Sequence, residues 1–500
     1  MNSLPLFDIA IIFVYLLAMV GVGFYFSKRN KSTIQFTSAS GKIPGWAIGL
    51  SIYATFLSSN TFLGVPGKAF GGNWNAFVFS ISMPFAAWVA SRYFVPFYRS
   101  TGEISAYTHL EKRFGTWART YAVICFLLTQ FARMGTIFFG IALSLHALTG
   151  FSMSSIMIVM GICIIIYTVL GGMEAVIWTE VAQGIIKTLG ALLILFLVIK
   201  EIPGGFSRVF DIAVAGNKLS LGSYSLNFGE SSFWVILLYG FFINLNNFGM
   251  DQNYIQRYHT ARSAKQAGKS VWLCVAMYVP ASLLFFIIGT SLYAYYTVHP
   301  GEIDPVTLKA SDQVLPHFMV TKIPTGLVGL IVSALLSAAM STISSNMNAS
   351  ATVFTMDIYK KYFRPSVNDK QQLYILHFAT VVFGLIGLGT GLAMIGAKSL
   401  LDIWWELSGI FAGGMLGLFL LGLISRQTKN VEAILATIIG VIVILWMTFS
   451  DRLTGDYGFL KSPLHKNMII VIGTLTIFLA GILLTKLRAK TAVAAPGLKQ

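Results

Sequence analysis

Charged side chains are scarce in this sequence. Asp, Glu, Lys and Arg make up 11 % of its 500 residues, where a soluble domain carries about 25 %. So few charges cannot cover a water-facing surface, and a mean hydropathy of +0.74 points the same way. Cysteine is scarce too. The three present, Cys125, Cys163 and Cys274, all fall within long apolar stretches. That excludes a disulfide framework, and the lack of CxxC pairs excludes a thiolate metal centre. The seven histidines are scattered, with no two at metal-ligand spacing. No phosphate-binding loop, dinucleotide fingerprint or nucleophile elbow occurs. Acids are outnumbered, 19 against 35 bases, for a net charge of +16. Such an excess suits nucleic acid unless its placement says otherwise.

What the sequence has is apolar length. Stretches of about 18 residues or more recur throughout, the mark of a polytopic all-α membrane protein. Thirteen spans are expected, at 6–26, 45–66, 74–97, 120–148, 152–171, 178–199, 232–252, 271–295, 323–356, 373–395, 401–424, 431–449 and 467–485. The first lysine is Lys28, so no basic segment precedes the first span, and 6–26 reads as a retained helix. Of the 35 lysines and arginines, 22 fall in one alternate set of loops and 10 in the other. The richer set belongs in the cytoplasm, which puts the N-terminus outside and the C-terminus inside. The basic excess is then a topology signal and argues against nucleic acid. No loop is long enough to fold as a catalytic domain, which disfavours an enzyme. No ring of pore-lining charges supports a channel.

Polar groups at membrane depth are costly and face a cavity or a partner helix. Four clusters stand out. The first is "SIYATFLSSNTFLGVPG", Ser51 to Gly67, poor in helix formers. An unwound segment there would free carbonyls for water or a cation; a small-residue helix interface is the alternative. The second is "INLNNFGMDQN", Ile243 to Asn253, which also reads as a broken helix. Interrupted helices at matching places in two halves point to a transporter's binding site. The third is "SAAMSTISS", Ser337 to Ser345, nine uncharged residues of which five carry hydroxyls. Ser337, Ser341, Ser344, Ser345 and Asn348 share a stripe roughly 100° wide. Oxygens without permanent charge suit a hard cation such as Na⁺, and hydroxyls bonded back to the preceding turn are the alternative. The fourth is a pair of intramembrane charges, Arg133 and Glu180. A buried arginine needs an anion, either a protein carboxylate or that of a substrate. Glu180 either pairs with Lys187 or contributes to a cation site.

These residues resemble the sodium:solute symporter family, and within it the bacterial sialic acid (N-acetylneuraminate) transporters. The resemblance covers about residues 5–485 and rests on "ATFLSSNTF", "GGMEAVIWTEVAQG", "QNYIQRY" and "SAAMSTISS". It implies a leucine-transporter-like fold of inverted five-helix repeats. The expected organisation is one transmembrane domain, 1–485, with an extra helix at 6–26, repeats at 45–199 and 232–424, two more helices in 431–485, and a cytoplasmic tail, 486–500, without fixed structure. The resemblance implies a first Na⁺ position at the carbonyls of Ala54, Leu57 and Ala338 and the hydroxyls of Ser341 and Thr342. It implies a second, in some members, at Ser341, Ser344, Ser345 and an acid that is Glu180 here and Asp in the pattern. Arg133 is implied to bind a substrate carboxylate, assisted by Ser58 and Thr61. Ser80 stands where the pattern has Gln, and Ala76, with Phe77 beside it, where it has an aromatic; Phe56 replaces a hydroxyl residue.

The implied activity is Na⁺-coupled symport by alternating access in a bacterial cytoplasmic membrane, with one Na⁺ or two. The implied solute is sialic acid; a neutral sugar, proline or another carboxylate is the alternative. A tenfold Na⁺ gradient is worth about 1.4 kcal/mol and 100 mV about 2.3 kcal/mol per charge. One Na⁺ with a monoanion is electroneutral, whereas two would add the potential, for about 5 kcal/mol in all. The oligomeric state is left open, a monomer included.

Overall fold

The computed structural model describes residues 5–28, 31–303, 311–324, 326–396, 400–450 and 455–494, with backbone only at 400–404, 455–457 and 491–494. Among them the chain is helical throughout, with one isolated bridge between Ile43 and Ala261. The principal helices are α1 (Leu6–Ser27), α2 (Gly45–Phe56), α3 (Ser59–Gly71), α4 (Trp74–Thr101), α5 (Thr116–Thr149), α6 (Met153–Lys200), α7 (Phe233–Met250), α8 (Gln252–Thr260), α9 (Ala264–Val298), α10 (Leu327–Phe363), α11 (Asp369–Ala393), α12 (Leu400–Ile424), α13 (Asn430–Phe449) and α14 (Ile469–Ala494).

Eleven of these described helices are long and apolar enough to cross a membrane, or twelve if the bent pair α2–α3 is one span. The expected spans 152–171 and 178–199 are joined in α6, whose 48 residues break at Gly172, where φ is +57°. Glycine alone adopts that backbone without strain. The expected unstructured tail departs from the structure in part: α14 stays helical to Ala494, and residues 495–500 lie outside the described chain. Large apolar side chains such as Phe85, Leu189 and Phe196 are exposed on the outer helix faces, where lipid would meet them.

The centre inverts this pattern. Every residue of α10 from Ile331 to Val353 is buried, and α10 makes its most extensive contact with α6. Hydroxyls let such a helix pack closely. Ser333 and Ser337 donate to the carbonyls of Gly329 and Ser333, each at 2.8 Å, so this part of the stripe is ordinary back-bonding.

Both expected helix breaks are present. α2 and α3 meet at 56°, across Leu57 (ψ +83°) and an extended Ser58. The Ser59 hydroxyl donates to the Ile137 carbonyl at 3.2 Å, and the Asn60 amide to Thr136 Oγ1 at 2.9 Å, so α5 holds the break. On the other side, a Cβ on Gly289 of α9 would lie 2.3 Å from the Pro66 carbonyl oxygen and 2.7 Å from its Cα. Gly289→Ala is expected to cost about 1–3 kcal/mol. A lowered thermal midpoint in detergent would show this, and an unchanged midpoint would contradict so close a contact.

The second break is at Asp251, with φ −80° and ψ +117°. Its carboxylate caps α8 by accepting from the Asn253 backbone N–H at 2.9 Å. Tyrosine hydroxyls satisfy the carbonyls at the end of α7. Tyr258 donates to Phe248 O at 2.9 Å, Tyr98 to Gly249 O at 2.7 Å and Tyr107 to Met250 O at 2.9 Å.

Candidate functional site

Breaking a helix leaves its last carbonyls without amide partners. At the end of α2 those of Ala54, Thr55 and Leu57 turn toward α6 and α10. Ser341 Oγ donates to Ala54 O at 3.1 Å, and Thr342 Oγ1 to Thr55 O at 3.1 Å. The same two hydroxyls lie 3.4 and 3.5 Å from Ala338 O. All five residues expected at the first Na⁺ position therefore converge. The side-chain nitrogen of Lys187 stands among them. Lys187 Nζ donates to Ala54 O at 2.5 Å, Leu57 O at 2.7 Å and Ser341 Oγ at 3.0 Å. The oxygens fit a small cation in number and chemistry.

The second expected position is held by a protein cation. Arg257 Nη2 is 2.7 Å from each Glu180 oxygen and donates to Ser345 Oγ at 2.6 Å and Thr55 Oγ1 at 3.0 Å. Its Nε donates to Ser51 Oγ at 2.8 Å. Ser51 and Ser345 also donate to Glu180. Glu180, for which a pair with Lys187 is one of two sequence readings, forms an ion pair with Arg257, which the charge pattern places in a loop and the structure buries to 1 % exposure. Ser344, expected to face this position, donates to Ser341 O of its own helix at 3.2 Å. Asn348, at the end of the stripe, accepts from Gln256 at 2.9 Å.

Beside the first position lies a central cavity, open on one side. Phe56, Ser58, Thr61, Ser80 and Arg133 line it, together with Asn60, Asn247, Tyr278 and Trp405. Five of the six residues expected to touch a solute are thus brought together. The sixth, Phe77, is not among the lining residues: its ring packs on Trp74 and Phe286 at 6.2 and 5.5 Å. Phe79 lines the cavity, stacked on Trp405 at 5.7 Å. Phe56 fills part of the floor against Tyr254 at 4.7 Å. Trp405 and Ala76 also line a separate pocket with Lys68, Asn73, His465 and Lys466. Trp405 is therefore a partition between two spaces.

Arg133 is 6 % exposed. Its Nη2 donates to Tyr254 Oη at 3.3 Å, and its Nη1 is 3.6 Å from Asp251 Oδ2. That distance is long for a buried ion pair, and Asp251 is well served elsewhere. It accepts from the Asn253 backbone and side chain at 2.9 and 2.8 Å and from Gln130 at 3.4 Å. The guanidinium, paired with Asp251, stands at a cavity wall with Ser58 and Thr61. An incoming carboxylate could take its planar donors in pairs.

For Arg133 the structure supplies the protein carboxylate that was one of its two readings, Asp251. The sequence pattern missed two things, Lys187 among the cation-site oxygens and Arg257 as the partner of Glu180, and a signal existed for both. Lys187 is the one lysine inside an expected span, and Arg257 sits in the "QNYIQRY" motif.

Comparison with known proteins gives a consistent result. The sequence profile of the sodium:solute symporter family matches residues 36–440. The chain is 33 % identical over 472 residues to the sodium/sialic acid symporter NanT of Aliivibrio fischeri, covering 93 % of this chain and 92 % of the relative. It is 31 % identical over 472 residues to the sodium/sialic acid symporter SiaT of Proteus mirabilis, covering 93 % and 94 %. Among solved structures it superposes on a substrate-bound, outward-open Na⁺-coupled sialic acid symporter with a TM-score of 0.88. The identity is 29 %, and the match covers 97 % of this chain and 98 % of that one.

Proposed function

The chain belongs to the sodium:solute symporter family, and from that premise we propose that it carries a small carboxylated solute, sialic acid in the first instance, across a membrane with Na⁺. It is a multi-pass membrane transporter and not an enzyme. The observation that carries the solute class is Arg133, a buried guanidinium at the wall of the central cavity with Ser58 and Thr61 beside it. A fixed positive charge in so dry a place favours a carboxylate over a neutral sugar, because only the carboxylate offers the planar guanidinium a charge-assisted, two-point hydrogen bond. The relatives named for sialic acid support the specific choice.

The mechanism is alternating access. Na⁺ at the Ala54, Leu57, Ala338, Ser341 and Thr342 oxygens would order the α2–α3 break. Ser58 and Thr61 lie just past that break, so ordering it sets the solute's hydroxyl contacts. Trp405, the partition between the cavity and the neighbouring pocket, is the gate on one side. The two breaks, at Leu57–Ser58 and Asp251, are the corresponding points of two inverted repeats. The loop charges support an outside N-terminus, an inside C-terminus and a bacterial cytoplasmic membrane. One chain carries every residue this scheme uses.

One Na⁺ per cycle is the stoichiometry we favour, because Arg257 takes both oxygens of Glu180. Uptake of a monoanion with one Na⁺ is electroneutral and draws on about 1.4 kcal/mol per tenfold gradient. It is expected to be indifferent to an imposed membrane potential, and a rate that rises with inside-negative potential would show a second ion. A thermal-shift screen of the purified protein tests the solute. N-acetylneuraminate is expected to raise the midpoint when Na⁺ is present. A shift given by proline or a neutral hexose in its place would overturn the assignment.

A further inference from the structure

We propose that Lys187 is a tethered cation that competes with Na⁺ for the first position, so that the ion binds there only by displacing the ammonium. The inference rests on the Na⁺-coupled reading above and adds what sets the ion's affinity.

The geometry is specific. An ammonium has three donors and no acceptor. Here the three go to Ala54 O, Leu57 O and Ser341 Oγ at 2.5, 2.7 and 3.0 Å. Two of these oxygens are carbonyls left open by the helix break, and all three belong to the set that would hold the ion. Lys187 is 0 % exposed, so no water competes for them. A lysine serving only as structural glue has a better partner on its own helix, namely Glu180, seven residues earlier. Glu180 instead serves Arg257, Ser51, Thr55 and Ser345, and the ammonium is turned onto neutral oxygens. Around it α10 presents the hydroxyls of Ser341 and Thr342. The phenols of Tyr15 and Tyr53 bond Gln183 and Thr188 on α6 itself.

Na⁺ bound to the same oxygens would sit in contact with the ammonium. Two like charges at that distance in a dry site exclude each other. The lysine stem has four flexible carbons, so the head can withdraw when the ion arrives. Without the ion the ammonium performs the same task, joining α2 at its break to α6 and α10. Lys187 therefore lowers the apparent Na⁺ affinity by the fraction of time it holds the seat.

Titrating Na⁺ against choline at constant ionic strength, with the thermal midpoint of the purified protein as readout, tests this directly. Lys187→Met is expected to lower the half-saturating Na⁺ concentration, by about tenfold for a side chain that holds the seat nine-tenths of the time. Lys187→Arg, a charge on a stem of similar reach, is expected to keep the Na⁺ response as weak as in the wild type or weaker. Lys187→Gln serves if the methionine variant does not fold. Equal half-saturation in the wild type and the neutral variants would overturn the proposal. Na⁺-driven uptake in the wild type alongside that result would leave the transport reading intact. Conversely, no Na⁺ response in the wild type but a clear one in Lys187→Met would uphold the competition and overturn the sodium-driven reading.

Discussion

Arg257→Met is expected to remove about 3–5 kcal/mol of stability, enough to lose most of the folded protein. The size of the effect comes from what would remain. Glu180 is 0 % exposed, and Arg257 is the cation at both its oxygens, each at 2.7 Å. Methionine has nearly the shape of the arginine stem but leaves the carboxylate buried with hydroxyls alone. The arginine also ties four helices at one point: Ser51 and Thr55 on α2, Glu180 on α6, its own α8, and Ser345 on α10. Losing it should loosen the α2–α3 break along with the pair. The test is folded yield and thermal midpoint by fluorescence-detected size exclusion. Adding Glu180→Gln should restore part of the loss, because the buried charge goes with its partner. A wild-type midpoint for Arg257→Met would show that the pair is not the anchor described.

Arg133→Gln is expected to act oppositely, on transport more than on stability. Asp251 keeps its bonds from Asn253 and Gln130 when the arginine goes, and its pair with Arg133 is longer than that of Glu180 with Arg257, 3.6 against 2.7 Å, so the midpoint should fall less than in Arg257→Met. Uptake should collapse. Truncating one side of a buried charge pair costs about 2–5 kcal/mol, or a factor of about 30 to 4,000 in affinity. The loss should fall on carboxylated solutes: the methyl ester, which offers no anion, should compete equally weakly against wild type and variant. Unchanged half-saturation for the acid would take Arg133 out of the solute site.

The parts of the molecule that depend on local pattern were legible before any coordinates. Apolar length gave the helices, and runs of Ser, Asn, Gly and Pro marked both breaks. "SAAMSTISS" showed its hydroxyl stripe. What the stripe does divides by position. Ser337 and Ser344 bond back to α10, whereas Ser341, Thr342 and Ser345 reach across to α2 and α6. Spacing puts them on one face but cannot tell which neighbour each one meets. The two protein cations were hidden for a related reason. Lys187 reads as an isolated charge in an apolar span until α6 is laid against the end of α2. Arg257 reads as a loop residue because α8 is too polar to register as membrane-buried. Of the segment that opens with the tight helical turn at Trp74–Phe77, Ala76, Phe79 and Ser80 line the cavity, and Phe77 packs behind it on Phe286. The two helix breaks look alike in sequence and differ in use. The carbonyls freed at the first are offered to a cation, and those at the second are closed by Tyr98, Tyr107 and Tyr258.

The central claim is that a Na⁺ gradient drives a carboxylate into a site built on Arg133. It is tested most directly by uptake of labelled N-acetylneuraminate into proteoliposomes holding the purified protein, with an inward Na⁺ gradient or an equal K⁺ gradient. Accumulation should occur with Na⁺ alone, be suppressed by excess unlabelled acid but not by its methyl ester, and vanish in Arg133→Gln. Equal uptake with K⁺, or equal suppression by the ester, would contradict the account.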